Sequence, residues 1–178
     1  MISLRDLELR LRRGEPFEEI LRRAGWKDFE GLTSDIIREA GFLTFRNFRF
    51  SSRRKRYEID VIAMENPRII LVDCKRWDLR PGKTSALRAS ASKHLSRSLE
   101  FLGKLQEFSS LNIGSWKRVI LIPTIVTLYD EGIVEYERVL IVPLFKMASF
   151  LEEARSGIFD RITAQVSNLE SLVRVERL

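Results

Sequence analysis

The sequence predicts an α/β protein with a mixed β-sheet, on the basis of three observations. Segments with helical and with strand-like hydrophobic periods follow one another along the 178 residues, and no internal repeat interrupts them. Residues 119–126 and 138–144 are almost wholly apolar, which is typical of strands that are covered on both faces. A chain of this length closes one hydrophobic core with room for a small appendage.

The N-terminal segment is expected to form a helical hairpin. Residues 3–13 carry leucines along one helical face, and residues 16–24 begin with a proline in the first helical turn. We expect this hairpin, residues 1–26, to cap a main domain formed by residues 27–178.

The main domain begins with a helix and three strands. Apolar residues recur every three to four positions in its helical segments and at every second position in its first strands. Polar turns separate these strands, and one of the turns contains Pro67. In order, the predicted elements are a helix at 28–40, strands at 42–50, 57–64 and 68–76, a helix at 85–108, strands at 119–126 and 138–144, and helices at 145–155 and 161–173.

Basic charge is concentrated in the middle of the chain. The net charge is +6, but residues 42–97 alone carry 14 basic and 5 acidic side chains. Arginine makes up 23 of the 31 basic residues, and its guanidinium suits bidentate contacts with phosphate. A thermophilic or GC-rich composition explains part of the arginine content, whereas the clustering predicts an anionic partner such as nucleic acid.

Charged residues interrupt two of the predicted strands. Asp60 lies in one strand, and Asp73 and Lys75 lie on one face of the next strand, with Cys74 on the opposite face. Charges inside a sheet are unfavourable unless they pair or bind a metal, so this cluster marks a candidate site. Oxygen ligands favour Mg²⁺ or Mn²⁺ over zinc, and His94 is expected to be a surface or packing residue.

This pattern resembles the PD-(D/E)XK nuclease superfamily, which has the restriction-endonuclease-like fold. Asp60 matches the first acid, and Asp73-Cys74-Lys75 match the acid-x-lysine tripeptide. Glu30, in the preceding helix, matches the upstream acid of many members, and Glu58 is the alternative for that third acid. The likeness covers about residues 27–151 and is nearest to archaeal Holliday-junction resolvases and modified-DNA restriction endonuclease domains.

The resemblance implies a divalent-metal-dependent endonuclease that hydrolyses phosphodiester bonds in DNA. Asp60 and Asp73, with the Cys74 carbonyl, would hold Mg²⁺ or Mn²⁺. Lys75 would orient or deprotonate the attacking water, while the Cys74 thiol would be inert. The sequence departs from the family in having Ile59 before the first acid and no glutamine in the long helix.

Six basic residues are expected to contact DNA. Double-stranded or branched DNA is favoured over single strands, because the sequence shows no evident aromatic platform on which bases would stack. The alternative for the arginine-rich turn is a solvated loop without a DNA contact. The six residues are Arg53, Arg54, Lys55, Arg56, Lys83 and Lys93.

Two other functions fit the same sequence. A non-catalytic nucleic-acid-binding protein would keep the basic turn without the metal. An interaction subunit or a homodimer would cover the apolar segment 166–175, in which Leu169, Leu172 and Val173 form a stripe. No stretch approaches the ~20 apolar residues of a membrane span, and the N-terminus lacks the apolar core of a signal peptide, so we expect a cytoplasmic protein.

Overall fold

A computed structural model describes residues 2–76, 83–160 and 162–165, without the side chains of Lys83 and Gln165. The helices in these ranges are α1 (Leu4–Arg12), α2 (Phe17–Arg23), α3 (Trp26–Glu39), α4 (Lys83–Lys104) and α5 (Met147–Ser156). The strands are β1 (Leu43–Ser52), β2 (Lys55–Glu65), β3 (Arg68–Lys75), β4 (Arg118–Thr127), β5 (Glu135–Tyr136), β6 (Val139–Pro143) and β7 (Ile162–Gln165).

The strands form one mixed sheet in the order β1-β2-β3-β4-β6-β5, and β7 pairs with the first half of β4. The first three strands are antiparallel, whereas β4 runs parallel to both β3 and β6. The helix α4 supplies the crossover that a parallel β3–β4 pair requires. The predicted α/β class with a mixed sheet flanked by helices is therefore confirmed.

The two faces of the sheet bury separate sets of side chains. Val72 and Cys74 pack with the helices α1, α2, α3 and α5, whereas Ile69 and Leu71 pack against α4. Successive residues of β3 therefore alternate between the two layers, as the strand period predicts. This alternation turns Asp73 towards α4, where it meets Arg97.

The N-terminal hairpin packs against the first of these faces. Leu7 of α1 and Ile20 and Leu21 of α2 lie in the same core cluster as Phe29 of α3. The Ser3 hydroxyl accepts the Asp6 N–H at the start of α1, where it satisfies one of the free N–H groups of the first turn. The hairpin thereby holds the beginning of α3 against the domain.

Two predicted elements differ from the observed ones, and one observed strand was not predicted. The predicted helix 161–173 begins instead as strand β7, because residues 162–165 pair with the first half of β4, a long-range contact that local periodicity does not reveal. Residues 166–173 of that prediction, and the apolar segment 166–175, lie outside the described residues. The two-residue strand β5 was not predicted, and the helix α5 begins at Met147 after a 3₁₀ turn.

The turn between β1 and β2 holds arginines in a left-handed backbone conformation. The two turn residues, Arg53 and Arg54, have φ angles of 49° and 65°. Glycine, asparagine and aspartate dominate such two-residue hairpin turns, because other side chains crowd the backbone when φ is positive. The turn is therefore strained at the residues that carry its positive charge.

Replacing Arg54 with glycine should relieve this strain and raise the free energy of unfolding by about 1 kcal/mol. Arg54→Ala is the matched control, because it removes the same charge and leaves a Cβ in the left-handed region. Urea denaturation of both variants and the wild type measures the difference. If Arg54→Ala gained as much stability as Arg54→Gly, the effect would come from the lost charge, and the backbone strain at residue 54 would be contradicted.

Candidate active site at the end of strands β2 and β3

Asp60 lies where the hydrogen-bond ladders on both sides of β2 are interrupted. Pairing between β2 and β3 ends at Val61 and Val72, one position before Asp60 and Asp73 would face each other. On the other side, the β1 ladder omits the position of Asn47 opposite Asp60, and Asn47 has a φ of 51°. The Asp60 carboxylate instead accepts the backbone N–H of Cys74 at 2.7 Å.

Asp73 is buried and carries two cationic neighbours. Its side chain lies between Lys75, whose Nζ is 2.6 Å from one carboxylate oxygen, and Arg97, whose guanidinium donates to the other oxygen at 3.0 Å. Arg97 also donates to the Glu58 carbonyl oxygen at 2.8 Å, which links α4 to β2 and β3. Charge-assisted bonds of this kind hold a buried carboxylate in one orientation.

The two carboxylates have opposite pKa shifts. Burial and the negative charge of Asp73 together raise the pKa of Asp60 to about 6, and the hydrogen bond from the Cys74 N–H offsets only part of this increase. Burial also acts to raise the pKa of Asp73, but attraction to His94, Lys75 and Arg97 outweighs it and leaves that pKa below its ordinary value. The surroundings therefore favour the ionised form of Asp73 and disfavour the ionised form of Asp60.

Glu30 is the third acid of this neighbourhood. It lies in the first turns of α3, is only 7% exposed, and accepts a hydrogen bond from the indole Nε1 of Trp26. Its charge contributes to the raised pKa of Asp60, so the two groups are within electrostatic reach. The carboxylate of Glu58, the alternative, is bound by Arg49 of β1 at 3.0 Å.

The donor set fits a hard divalent cation. In the part of the chain that the structure describes, no three side chains of His, Cys, Asp or Glu come together closely enough to hold a metal ion by themselves. Asp60 and Asp73 nevertheless offer two carboxylates, and Mg²⁺ is commonly held by one or two carboxylates and several waters. Burial and repulsion from Asp73 raise the pKa of Asp60, and a cation at this position would offset both effects.

Cys74 is a core residue. Its side chain is fully buried, and burial raises the pKa of its thiol well above the ordinary value. A buried neutral thiol of this kind is neither a nucleophile nor a thiolate ligand. Only the backbone of Cys74 faces the site, through the N–H that binds Asp60.

The site opens into a cleft of about 590 Å³. Three of the expected DNA-binding residues line it, while Arg53 and Arg54 lie at the exposed tip of the β1–β2 hairpin. The side chain of Lys83 lies outside the described residues. The lining residues are Trp26, Lys55, Arg56, Tyr57, Glu58, Asp60, Asp73, Lys75, Ser92, Lys93, Ser96 and Arg97.

Sequence reasoning missed Arg97, Trp26 and Tyr57 at this site and left two alternatives for His94. Arg97 carries no motif, and only the packing of α4 on β3 brings it to Asp73. His94 is fully buried and donates from Nε2 to the Leu71 carbonyl, so it is a packing residue and the surface alternative is wrong. Trp26 and Tyr57 place aromatic rings in the cleft, which corrects the expectation that the chain offers no aromatic surface to a base.

Comparison with known proteins identifies the family. Residues 21–95, which include Glu30, Asp60 and Asp73-Cys74-Lys75, match the restriction endonuclease family Mrr_cat. An uncharacterized protein from Archaeoglobus fulgidus is 31% identical over 126 residues, which cover 71% of this chain and 88% of that protein. Over residues 21–95 the chain belongs to the Mrr-type restriction endonuclease family of the PD-(D/E)XK superfamily. It therefore carries a nuclease-like domain, for which DNA is the implied substrate.

Two solved structures are similar over part of their length. The protein of unknown function AF1548 is 18% identical, with a TM-score of 0.32 and coverage of 65% of this chain and 49% of that chain. Protein VC1899 from Vibrio cholerae is 11% identical, with a TM-score of 0.36 and coverage of 71% and 32%. The chain spans about half of the first protein and about a third of the second. Scores this low carry no argument about function.

No helix in the described ranges combines the length and the apolar character that a membrane span requires.

The opposite pKa shifts predict opposite effects of two isosteric substitutions on stability in EDTA. The pKa of Asp60 in the folded chain, about 6, lies above the ordinary value of 3.8. The protonated form of Asp60 therefore favours the folded state; this contribution is fully present below pH 3.8 and is lost as the pH rises through 6. Asp60→Asn should therefore leave stability unchanged near pH 4 and raise it on the order of 2–3 kcal/mol at neutral pH.

Asp73→Asn is the matched control. The pKa of Asp73 is lowered, so its ionisation stabilises the fold above the ordinary pKa and this contribution is lost only as the pH falls through the lowered value. At neutral pH this variant should be destabilised, because Lys75 and Arg97 lose their counter-charge. Urea unfolding of both variants across the pH range measures the effects. Destabilisation by both substitutions at neutral pH would contradict the claim that ionised Asp60 is unfavourable in the folded chain.

Proposed function

We propose that the chain is a divalent-metal-dependent DNA endonuclease with a catalytic centre formed by Asp60, Asp73 and Lys75. The observation that carries the proposal is their convergence at the open end of the β2–β3 ladder, inside a cleft that cationic side chains line. Membership of a restriction endonuclease family supports the same reaction class.

Asp60 and Asp73 are the side chains that would hold Mg²⁺ or Mn²⁺, with the Cys74 carbonyl as a backbone ligand. When bound, such an ion polarises the scissile phosphate and lowers the pKa of a water molecule. The burial and repulsion that raise the pKa of Asp60 support this assignment, because they favour a cation beside Asp60 other than Lys75 or Arg97, which lie against Asp73.

Lys75 is proposed to act on the reacting groups. Its ammonium lies against Asp73 and lines the cleft, so it is placed to donate hydrogen bonds to a phosphate oxygen and to orient the attacking water. Glu30 is proposed to hold an outer water, because it shares the electrostatic environment of Asp60.

The basic side chains are proposed to bind the DNA backbone. Lys55, Arg56 and Lys93 line the cleft and would contact phosphates close to the cleaved bond. Arg53 and Arg54 would contact phosphates farther away, from the tip of the hairpin. Lys83 is a further proposed DNA-binding residue, on the basis of the sequence alone. The proposed substrate is double-stranded or branched DNA. A DNA substrate also supports the proposed cytoplasmic location.

The N-terminal hairpin, residues 1–26, is proposed to be a cap on the nuclease domain. Its apolar residues join the core beside α3, and the Arg76 guanidinium after β3 donates to the Arg22 carbonyl at 2.9 Å. These contacts support a role in holding the helix that carries Glu30.

One observation favours a non-catalytic nucleic-acid-binding protein as the second candidate. Both carboxylate oxygens of Asp73 already lie against cations, one against Lys75 and one against Arg97. A cluster that is balanced in this way is stable without a metal, as a protein that only binds DNA would require.

Cleavage assays distinguish the two candidates. Purified wild type and Lys75→Ala are incubated with supercoiled, linear and four-way-junction DNA in Mg²⁺, and the products are quantified. The endonuclease predicts cleavage by the wild type and a rate at least about 100-fold lower for Lys75→Ala, because the variant loses a donor to the transition state. Lys117→Ala, just before β4 and beside the end of that strand remote from the cleft, is the control and should cleave at the wild-type rate.

An absence of cleavage by the wild type on all three substrates, with DNA binding retained, would favour the non-catalytic candidate. Cleavage by Lys75→Ala at the wild-type rate would remove Lys75 from the catalytic centre.

The hairpin contacts can be measured from the salt dependence of binding. Arg53→Ala/Arg54→Ala should reduce the slope of log K against log salt by about 2 for duplex DNA, since each lost phosphate contact lowers the slope by about 0.9. The charge-matched control is Lys117→Ala/Arg118→Ala, at the far end of β4. Equal slopes for the wild type and the arginine variant would show that the hairpin tip does not contact DNA.

A further inference from the structure

We propose that the cleft binds an unpaired nucleotide of DNA against the indole ring of Trp26. The substrate would then be DNA with a single-stranded gap, an extruded base or a branch point beside the scissile phosphate. The cleavage of that substrate rests on the proposed function, whereas its binding requires neither a metal nor hydrolysis.

Trp26 presents an exposed aromatic surface inside the cleft. It is the first residue of α3, is 40% exposed, and lines the same cleft as Asp60 and Asp73. Large aromatic side chains gain free energy when they are covered, so an exposed indole in a cleft favours a ligand with an aromatic face. Among the residues that the structure describes, no other aromatic ring contacts this indole.

The indole is held in a fixed orientation. Its Nε1 donates to the Glu30 carboxylate, which lies one helical turn further along α3 and is 7% exposed. The start of the helix is held by Asp28, whose carboxylate accepts the N–H groups of Gly25 at 3.1 Å and Ile2 at 3.0 Å. A ring that is already ordered loses little conformational entropy when a base stacks on it.

The other aromatic ring of the cleft is less suited to this role. Tyr57 stacks on Phe50, with ring centres 5.1 Å apart and planes inclined by 16°. The Lys55 ammonium also lies 5.2 Å from the centre of the Tyr57 ring. Because Phe50 and Lys55 already lie against the Tyr57 ring, the geometry assigns the stacking surface to Trp26.

The charges and the size of the cleft favour an unpaired nucleotide. Lys55, Arg56 and Lys93 line the same cleft as the indole and add positive charge to it, and this combination is typical of proteins that bind single-stranded nucleic acid. The volume, about 590 Å³, is in the range of pockets that enclose small ligands. A base in a duplex is stacked on both sides, so it reaches the indole only after it leaves the helix.

The first test measures binding in EDTA, where cleavage is absent. Two fluorescent DNA duplexes of one sequence are compared. One is fully paired, and the other has a short gap in one strand that leaves a few thymines of the opposite strand unpaired. Trp26→Ala should lower the preference for the gapped duplex roughly tenfold, because one stacked base is lost. Trp26→Phe keeps an aromatic face and should retain most of the preference. Trp116→Phe, in the core cluster on the α4 side of the sheet, is the control and should bind as the wild type does.

The comparison of Trp26→Ala with Trp26→Phe separates stacking from a structural role. Both variants lose the hydrogen bond to Glu30. If Trp26 only positioned Glu30, the two variants would lose the same binding affinity for each duplex. That result, or wild-type preference in Trp26→Ala, would overturn the proposal.

The second test measures the indole directly. In a Trp77→Phe/Trp116→Phe background, Trp26 is the one remaining tryptophan of the sequence. Oligothymidine should quench its fluorescence saturably in EDTA, and an unchanged signal at saturating DNA would contradict stacking. Quenching without any cleavage in Mg²⁺ would refute only the endonuclease, whereas cleavage without quenching or a gap preference would refute only the nucleotide site.

Discussion

The structure depends on the placement of two carboxylates, Asp60 and Asp73, at the point where their strands separate. Lys75 and Arg97 balance the charge of Asp73, whereas the side chain of Asp60 has one backbone N–H as its hydrogen-bond partner among the described residues. Burial and, after it, repulsion from Asp73 raise the pKa of Asp60 to about 6. A cation bound beside Asp60 would make the ionised carboxylate more favourable, and the proposed chemistry follows from that.

The surrounding elements orient this pair. The alternation of β3 turns Asp73 and Lys75 towards α4, and it turns Cys74 into the opposite core, where its thiol is inert. The N-terminal hairpin supports α3, which brings Trp26 to the same cleft and Glu30 within electrostatic reach of Asp60. Acidic, cationic and aromatic groups thus meet in one cleft although they come from distant parts of the chain.

Much of this arrangement was predictable from sequence, because it depends on local period and spacing. The strand period of β3 separates Asp73 from Cys74, and the acid-x-lysine motif marks the site. Arg97 was not predictable, because its contact with Asp73 depends on how α4 packs on the sheet. The interruption at Asp60 and the strand β7 also depend on pairing between distant segments, which hydrophobic periods do not encode.

The central claim is that Asp60 and Asp73 together form a site for one divalent cation. Calorimetric titration of Mn²⁺ into the EDTA-stripped, dialysed protein near neutral pH tests this claim most directly, with Asp60→Asn as the comparison. We expect the wild type to bind Mn²⁺ and the variant to bind it at least about tenfold more weakly, since the variant lacks one of the two carboxylate ligands. Equal affinity of the two proteins for Mn²⁺, or no binding by the wild type, would contradict the claim.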